Sequence, residues 1–330
     1  MTFISKYFLT LFVVLSFAVS SFGQIDKSQF TQFQFNKLIY NPAFAGDRNY
    51  FEASAFHRSQ WVNLSGRAFA TQSLSVHFPL VSYNSGVGIS IVNDLIGVQR
   101  STFVMGNYAY KVPLTFAVLS VGVSVGIIQS ALDGSKLRAP DGTYEPDQSI
   151  DHSDDFLPES LQGGIGLDAG FGIYLSNDNW YAGISTAHIP GSTVTIKAKQ
   201  GNAKLKYERE YYAMGGYKFR LGSTFSLEPS VLFKTDMNKA QVDFSNLAYY
   251  KDNIWIGVSF RGYNKSSIDA LGLLFGFQLT QKFMVNYSYD VSTSFKNSFN
   301  DGSHELSVLY KFKIDGKGRK GSVIYNPRFL

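Results

Sequence analysis

The feature that most constrains this chain is an alternation of apolar with small or polar residues. It recurs in segments of about ten residues from Tyr50 to Ile314. Leu119, Val121, Val123, Val125 and Ile127 alternate with Ser120, Gly122, Ser124 and Gly126. Ile165, Leu167, Phe171, Ile173 and Leu175 alternate with Gly166, Asp168, Gly170, Gly172 and Tyr174. The pattern returns at 254–261, 271–279, 283–292 and 305–314. A period of two places successive side chains on opposite faces of a strand. Val112 to Leu132 carries no charge and is long enough for an apolar helix, but its alternation reads as a strand.

Ten-residue segments with one apolar face suit a transmembrane β-barrel, and a soluble sandwich also alternates. The connections discriminate. Fourteen strands are expected near 50–57, 67–79, 86–93, 100–111, 115–129, 163–175, 179–187, 204–219, 223–235, 241–250, 254–262, 268–279, 283–293 and 303–314. The even-numbered connections are short ("VPL", "SND", "KDN"), and the odd-numbered ones are mostly longer. That sorting matches short periplasmic turns and long surface loops. The expected fold is therefore all-β: a transmembrane antiparallel barrel of about 14 strands. Pro229 falls inside one strand, where it has no N–H to give the ladder, so a bulge or a rim position is expected there.

Composition agrees. Aromatics make up 16% and charged residues 17% of the 330 residues, below the roughly 25% charged residues of soluble proteins. Residues 1–23 read as a secretory signal, with Lys6 before an apolar run and Ser21 and Gly23 at the cleavage site. Its removal takes one charged residue, so the net charge of +5 becomes +4. The absence of cysteine excludes a lipoprotein anchor, disulfides and thiolate metal sites. Residues 24–49 form a lead before the barrel at 50–314, and 315–330 form a basic tail with Lys317, Arg319, Lys320 and Arg328.

The lead is aromatic (Phe30, Phe33, Phe35, Tyr40, Phe44) and ends in "YNPAFAG", a turn set by Asn41-Pro42 and Gly46. Folded into or under a barrel, it would bury those rings. Glycines at 122, 126, 166, 170, 172, 257, 272 and 276 face inward on the pattern and leave room for it. A loosely packed periplasmic strap is the other reading of the same residues.

Several sequence blocks resemble the PorP/SprF family of Bacteroidota outer-membrane proteins. They are "QFTQFQFNKLIYNPAFAG", "RSQWVNLSG", "GVGISIVNDLIG", "NYSYDVSTS", "GSHELSVLYKF" and the terminal "NPRF". Asn326 stands where many members have Cys, and Leu330 extends past their terminal Phe. The resemblance implies a non-enzymatic barrel in the outer membrane that works with the type IX secretion and gliding machinery. Its implied partners are a secreted surface protein such as an adhesin, other secretion components, and periplasmic motor or peptidoglycan-linked proteins, with no nucleic acid. A diffusion channel for small solutes is the alternative.

Among candidate residues, Arg58 and Trp61 lie where the first strand enters the first long loop. They read either as partner anchors or as an interfacial belt. Asp168, Glu228, Lys234, Arg261, Asp290, Glu305 and Lys311 are expected in the lumen. The five histidines (57, 77, 152, 188 and 304) are scattered and form no catalytic motif or metal spacing. No catalytic residue and no cofactor is expected. Seven acids lie between Asp141 and Glu159 without a Lys or Arg. Their spacing matches no EF-hand, so a solvated loop is expected rather than a Ca²⁺ site.

Overall fold

A computed structural model describes residues 29–63, 69–139, 141–144, 150–154, 157–198, 201–262, 268–293 and 301–314. The expected signal, the basic tail and much of the acidic loop lie outside the described residues.

Fourteen antiparallel strands close into a barrel. They are β1 Tyr50–Ser59, β2 Phe69–Leu80, β3 Ser85–Ile96, β4 Gln99–Pro113, β5 Val118–Asp133, β6 Leu161–Ser176 and β7 Trp180–Ala187. β8 comprises Glu210–Tyr217 and its continuation Phe219–Leu221. The rest are β9 Phe225–Thr235, β10 Ala240–Tyr250, β11 Ile254–Gly262, β12 Ile268–Thr280, β13 Phe283–Ser292 and β14 Ser303–Lys313. Each strand pairs with its neighbours in sequence, and β1 closes the cylinder on β14 from Tyr50↔Lys313 to Ser59↔His304. Where strands pair on both sides, closure removes the sheet edges that water or lipid would otherwise have to satisfy.

Burial follows the alternation. In β5, Ser120 is buried while Val121, Val123, Val125 and Ile127 are exposed outward. In β12, Leu271, Leu273 and Phe275 face out while Leu274 is buried within. The connections after β2, β4, β6, β8, β10 and β12 span two to four residues each and define one end of the barrel. Exposed Tyr83, Phe116, Phe219, Phe225 and Tyr250 cluster toward that end, as an interfacial aromatic girdle does. Among the described residues, no helix is long and apolar enough to cross a membrane.

Two expectations need correction. Pro229 causes no bulge against β10, where it pairs with Asn246 in an unbroken register. On its other edge the ladder with β8 stops at Gly216↔Ser230 and resumes at Phe219↔Leu227. The break in β8 therefore lies opposite the residue that has no N–H to donate. Strand β8 also starts at Glu210 rather than 204. Residues Asn202–Lys206 pair with Thr193–Lys197 as a separate hairpin in the β7–β8 connection.

Candidate functional site: a filled lumen

From Gln29 to Ala45 the lead lies inside the barrel. Residues Gln29–Ala45 are almost entirely buried, although short 3₁₀ turns are their only regular structure. Their rings pack on inward side chains. Phe30 meets Phe56 at 5.8 Å, Tyr40 meets Tyr212 at 5.5 Å, and Phe44 meets Tyr174 at 5.5 Å, all edge-on. Edge-to-face pairs of this kind add to the area that the rings bury.

Asn41 fixes the path. Its side-chain oxygen accepts from the Ala43 amide at 2.9 Å, and its Nδ2 donates to the carbonyls of Ile173 (3.0 Å) and Ile184 (3.3 Å). One side chain therefore caps the Pro42–Phe44 turn and ties it to β6 and β7. The wall must be bare where the lead passes. A Cβ on Gly122 would fall on the Ala43 amide, and one on Gly172 would fall on the Asn41 side chain. Gly46, at φ +66°, turns the chain out toward β1, with its amide donating to His77 Nδ1 at 3.1 Å and its carbonyl accepting from Lys111.

The other end of the lead is held by charge. Arg58 contacts Asp290 at 2.6 Å and Glu305 at 3.0 Å. Arg261 contacts Asp243 at 2.9 Å and Asp290 at 3.4 Å, and Lys234 contacts Asp243 at 2.8 Å. All six are buried, so three cations balance three carboxylates out of water. Thr31 sits at the centre. Its hydroxyl donates to Asp290 at 2.5 Å and accepts from Arg58 at 2.9 Å and Arg261 at 3.1 Å, which uses its one proton and both lone pairs. The carboxylate of Glu305 accepts the amides of Thr31 (2.8 Å) and Gln32 (3.1 Å).

This arrangement corrects the reading of Arg58. It is 1% exposed and occupies the last inward position of β1, so it points away from any outer partner. Trp61 lies beyond the strand, half-buried, with its ring edge-on to Phe69 at 5.0 Å. Of the lumenal candidates, Arg261, Asp290 and Glu305 join Arg58, and Lys234 joins them through Asp243. Asp168 stands apart, against His188 (2.7 Å) and Ser192 (2.8 Å). Glu228 is half-buried on the inward face of β9, toward the short-turn end. Lys311 pairs with Glu52 at 3.3 Å. Sequence reading missed Asp243 and Thr31. Asp243 lies in "AQVDFSNLAYY", whose weak alternation hides which face it takes.

Between the lead and β3–β8 there remains a cavity of about 140 Å³, bordered by Phe103, Met105, Asp168, His188, Tyr207 and Tyr212. Among the described residues no group of His, Asp and Glu is placed to hold a metal ion.

The family model described as Type IX secretion system membrane protein PorP/SprF matches residues 22–310. No curated protein matches the sequence. Solved structures resemble the fold. The Ralstonia pickettii toluene transporter TbuX is 12% identical, with a TM-score of 0.51 over 84% of this chain and 93% of its own. The CymD monoaromatic hydrocarbon channel is 13% identical, with a TM-score of 0.48 over 91% and 95%. The Acinetobacter baumannii outer membrane protein Omp33 is 9% identical, with a TM-score of 0.44 over 81% and 99%. At such identities the likeness is one of fold.

Proposed function

Since the chain belongs to the PorP/SprF family of type IX secretion system membrane proteins, we propose that it is a plugged, non-enzymatic outer-membrane barrel that retains or assists the export of a secreted surface protein, an adhesin being the chief candidate. The observation that carries this reading is the filled lumen. A diffusion channel needs a continuous wet path, whereas here an aromatic segment occupies the interior and is held at both ends. Holding a partner needs a rigid cylinder and outward loops, and the lumen is free to be sacrificed to stability.

The family match supports further partners of a general kind, and the following are proposed. They are further secretion components, and motor or peptidoglycan-linked proteins on the periplasmic side. The cavity beside the lead favours a second reading, entry of a small solute.

Deletion of the gene discriminates between the two. Quantitative proteomics of cell-bound and released fractions is expected to show at least one exported protein moving to the medium or failing to appear. An unchanged surface and secreted proteome, with altered uptake of a small solute, would overturn retention in favour of the channel.

A further inference from the structure

β6 is paired unequally on its two edges. With β5 it pairs along its whole length, from Asp133↔Leu161 to Val118↔Ser176. With β7 it pairs only from Phe171↔Thr186 to Ser176↔Tyr181. β7 ends at Ala187, and the chain then turns inward. The Ile189 amide donates to the Ala169 carbonyl at 3.0 Å, and the Ser192 hydroxyl donates to Asp168. The hairpin Thr193–Lys197/Asn202–Lys206 then packs on β6, bringing Thr195 and Val194 against Gly164 and Gly166. Val194 and Ile196 are wholly buried with Ile128. β6 is thus paired on one edge and backed on its inner face. Among the described residues, no strand meets its second edge from Leu161 to Asp168.

The atoms at that edge can be assigned. The bonds Ile189 N–H to Ala169 O and, one residue past the end of β6, Asn177 N–H to Trp180 O both lie on the β7 side, and both involve odd-numbered residues of that run of chain. Successive residues of an antiparallel strand point their N–H and C=O to opposite edges. Leu161, Gly163, Ile165 and Leu167 therefore present theirs to the open side. Outward, Leu161, Ile165 and Leu167 are 67%, 64% and 75% exposed. Natural edges are blunted by charge, proline or a bulge. None occurs here: Asp168 is turned inward onto His188.

We propose that this edge takes an extended segment of the exported protein as an added strand, with apolar residues at alternate positions beside Ile165 and Leu167. The proposal rests on the retention reading above and names the surface that does the retaining. A row of alternating donors and acceptors is matched only by another extended backbone. A second barrel cannot supply it. Strands tilt about 35–45° from the barrel axis, so two barrels standing side by side cross their strands at about 70–90°, too steeply for a ladder. A free segment aligns without that constraint.

Ile165→Pro tests this in cells. The proline removes an N–H that β5 does not use, so the β5–β6 ladder keeps its bonds. The barrel is expected to keep its heat-modifiable migration, while surface retention of the exported protein falls about tenfold. A photo-crosslinking residue in place of Leu167 is expected to form adducts with that exported protein. It decides the matter should Ile165→Pro fail to assemble. If gene deletion releases an exported protein but Ile165→Pro and the crosslinker leave it untouched, the edge is excluded and retention stands. Adducts with a second copy of the barrel also overturn the proposal. If deletion releases nothing, the retention reading itself fails.

Discussion

The Thr31 amide donates to the Glu305 carboxylate at 2.8 Å across 274 residues of sequence. That bond joins the lead to the last strand, and two further bonds of the same carboxylate reinforce it. The carboxylate also holds the Gln32 amide and the Arg58 guanidinium. Lead, first strand and last strand are therefore locked by one side chain.

Removing Arg58 leaves Asp290 and Glu305 buried with too little positive charge. Breaking a buried pair from one side costs about 3–5 kcal/mol. Arg58→Ala is therefore expected to unfold at clearly lower urea concentration than the parent. Thr31→Val loses the hydroxyl alone and is expected to cost about 1–3 kcal/mol. The measurement is urea unfolding in detergent, followed by heat-modifiable mobility. Equal midpoints for Arg58→Ala and the parent would sink the account of the ion network.

A barrel plugged by its lead conducts little. In a planar bilayer the intact protein is expected to be nearly silent, and removal of residues 24–45 is expected to open steady conductance. Gly122→Leu gives a milder version, since its side chain occupies the position of the Ala43 amide. A large, steady current from the intact protein would contradict this.

Asn41→Ala removes the turn cap and both bonds to the β6 and β7 carbonyls. Loss of such a cap costs about 0.5–2 kcal/mol. The expected outcome is a barrel that still closes but whose lead becomes susceptible to protease. Lead cleavage rates in the variant and the parent are compared directly. Unchanged protection would mean that the aromatic contacts alone hold the segment.

The chain lacks cysteine, so a single introduced thiol reports topology cleanly. Ser153→Cys, in the long β5–β6 connection, is expected to react with an impermeant maleimide on intact cells. Asp252→Cys, in the turn between β10 and β11, is expected to react only after the cells are broken. The reverse pattern would invert the barrel.

Strand number and faces were legible because two-residue periodicity reports directly which side of a wall a residue takes. Leu167 and Asp168 differ by one position and by a whole environment, and the sequence alone separates them. Arg58 was misread because its nearness to a loop outweighed its parity. Counting on from Glu52, Ser54 and Phe56 places it inside. The end of the hairpin's second arm, Lys204–Lys206, was absorbed into a strand expected to start at 204, because Leu205 and Tyr207 continue the alternation of β8 in phase. Thr31 carried no signal at all. Its role comes from convergence of β1, β11 and β13 on one hydroxyl, and local sequence does not encode convergence.

The direction of the lead bears on how the molecule is made. Thr31 contacts residues near the long-loop ends of β1, β13 and β14, whereas Gly46 contacts His77 and Lys111 toward the short-turn end. The segment runs the depth of the lumen before the first strand begins, and its anchoring acids belong to the last strands to emerge from synthesis. Packed against Gly122 and Gly172, it leaves little clearance for passage into a finished cylinder. A sheet that curls around it, with β1 and β14 joining last, avoids that passage, as a tube is rolled around a mandrel. On that route insertion and closure become a single step in which the earliest part of the chain waits for the latest.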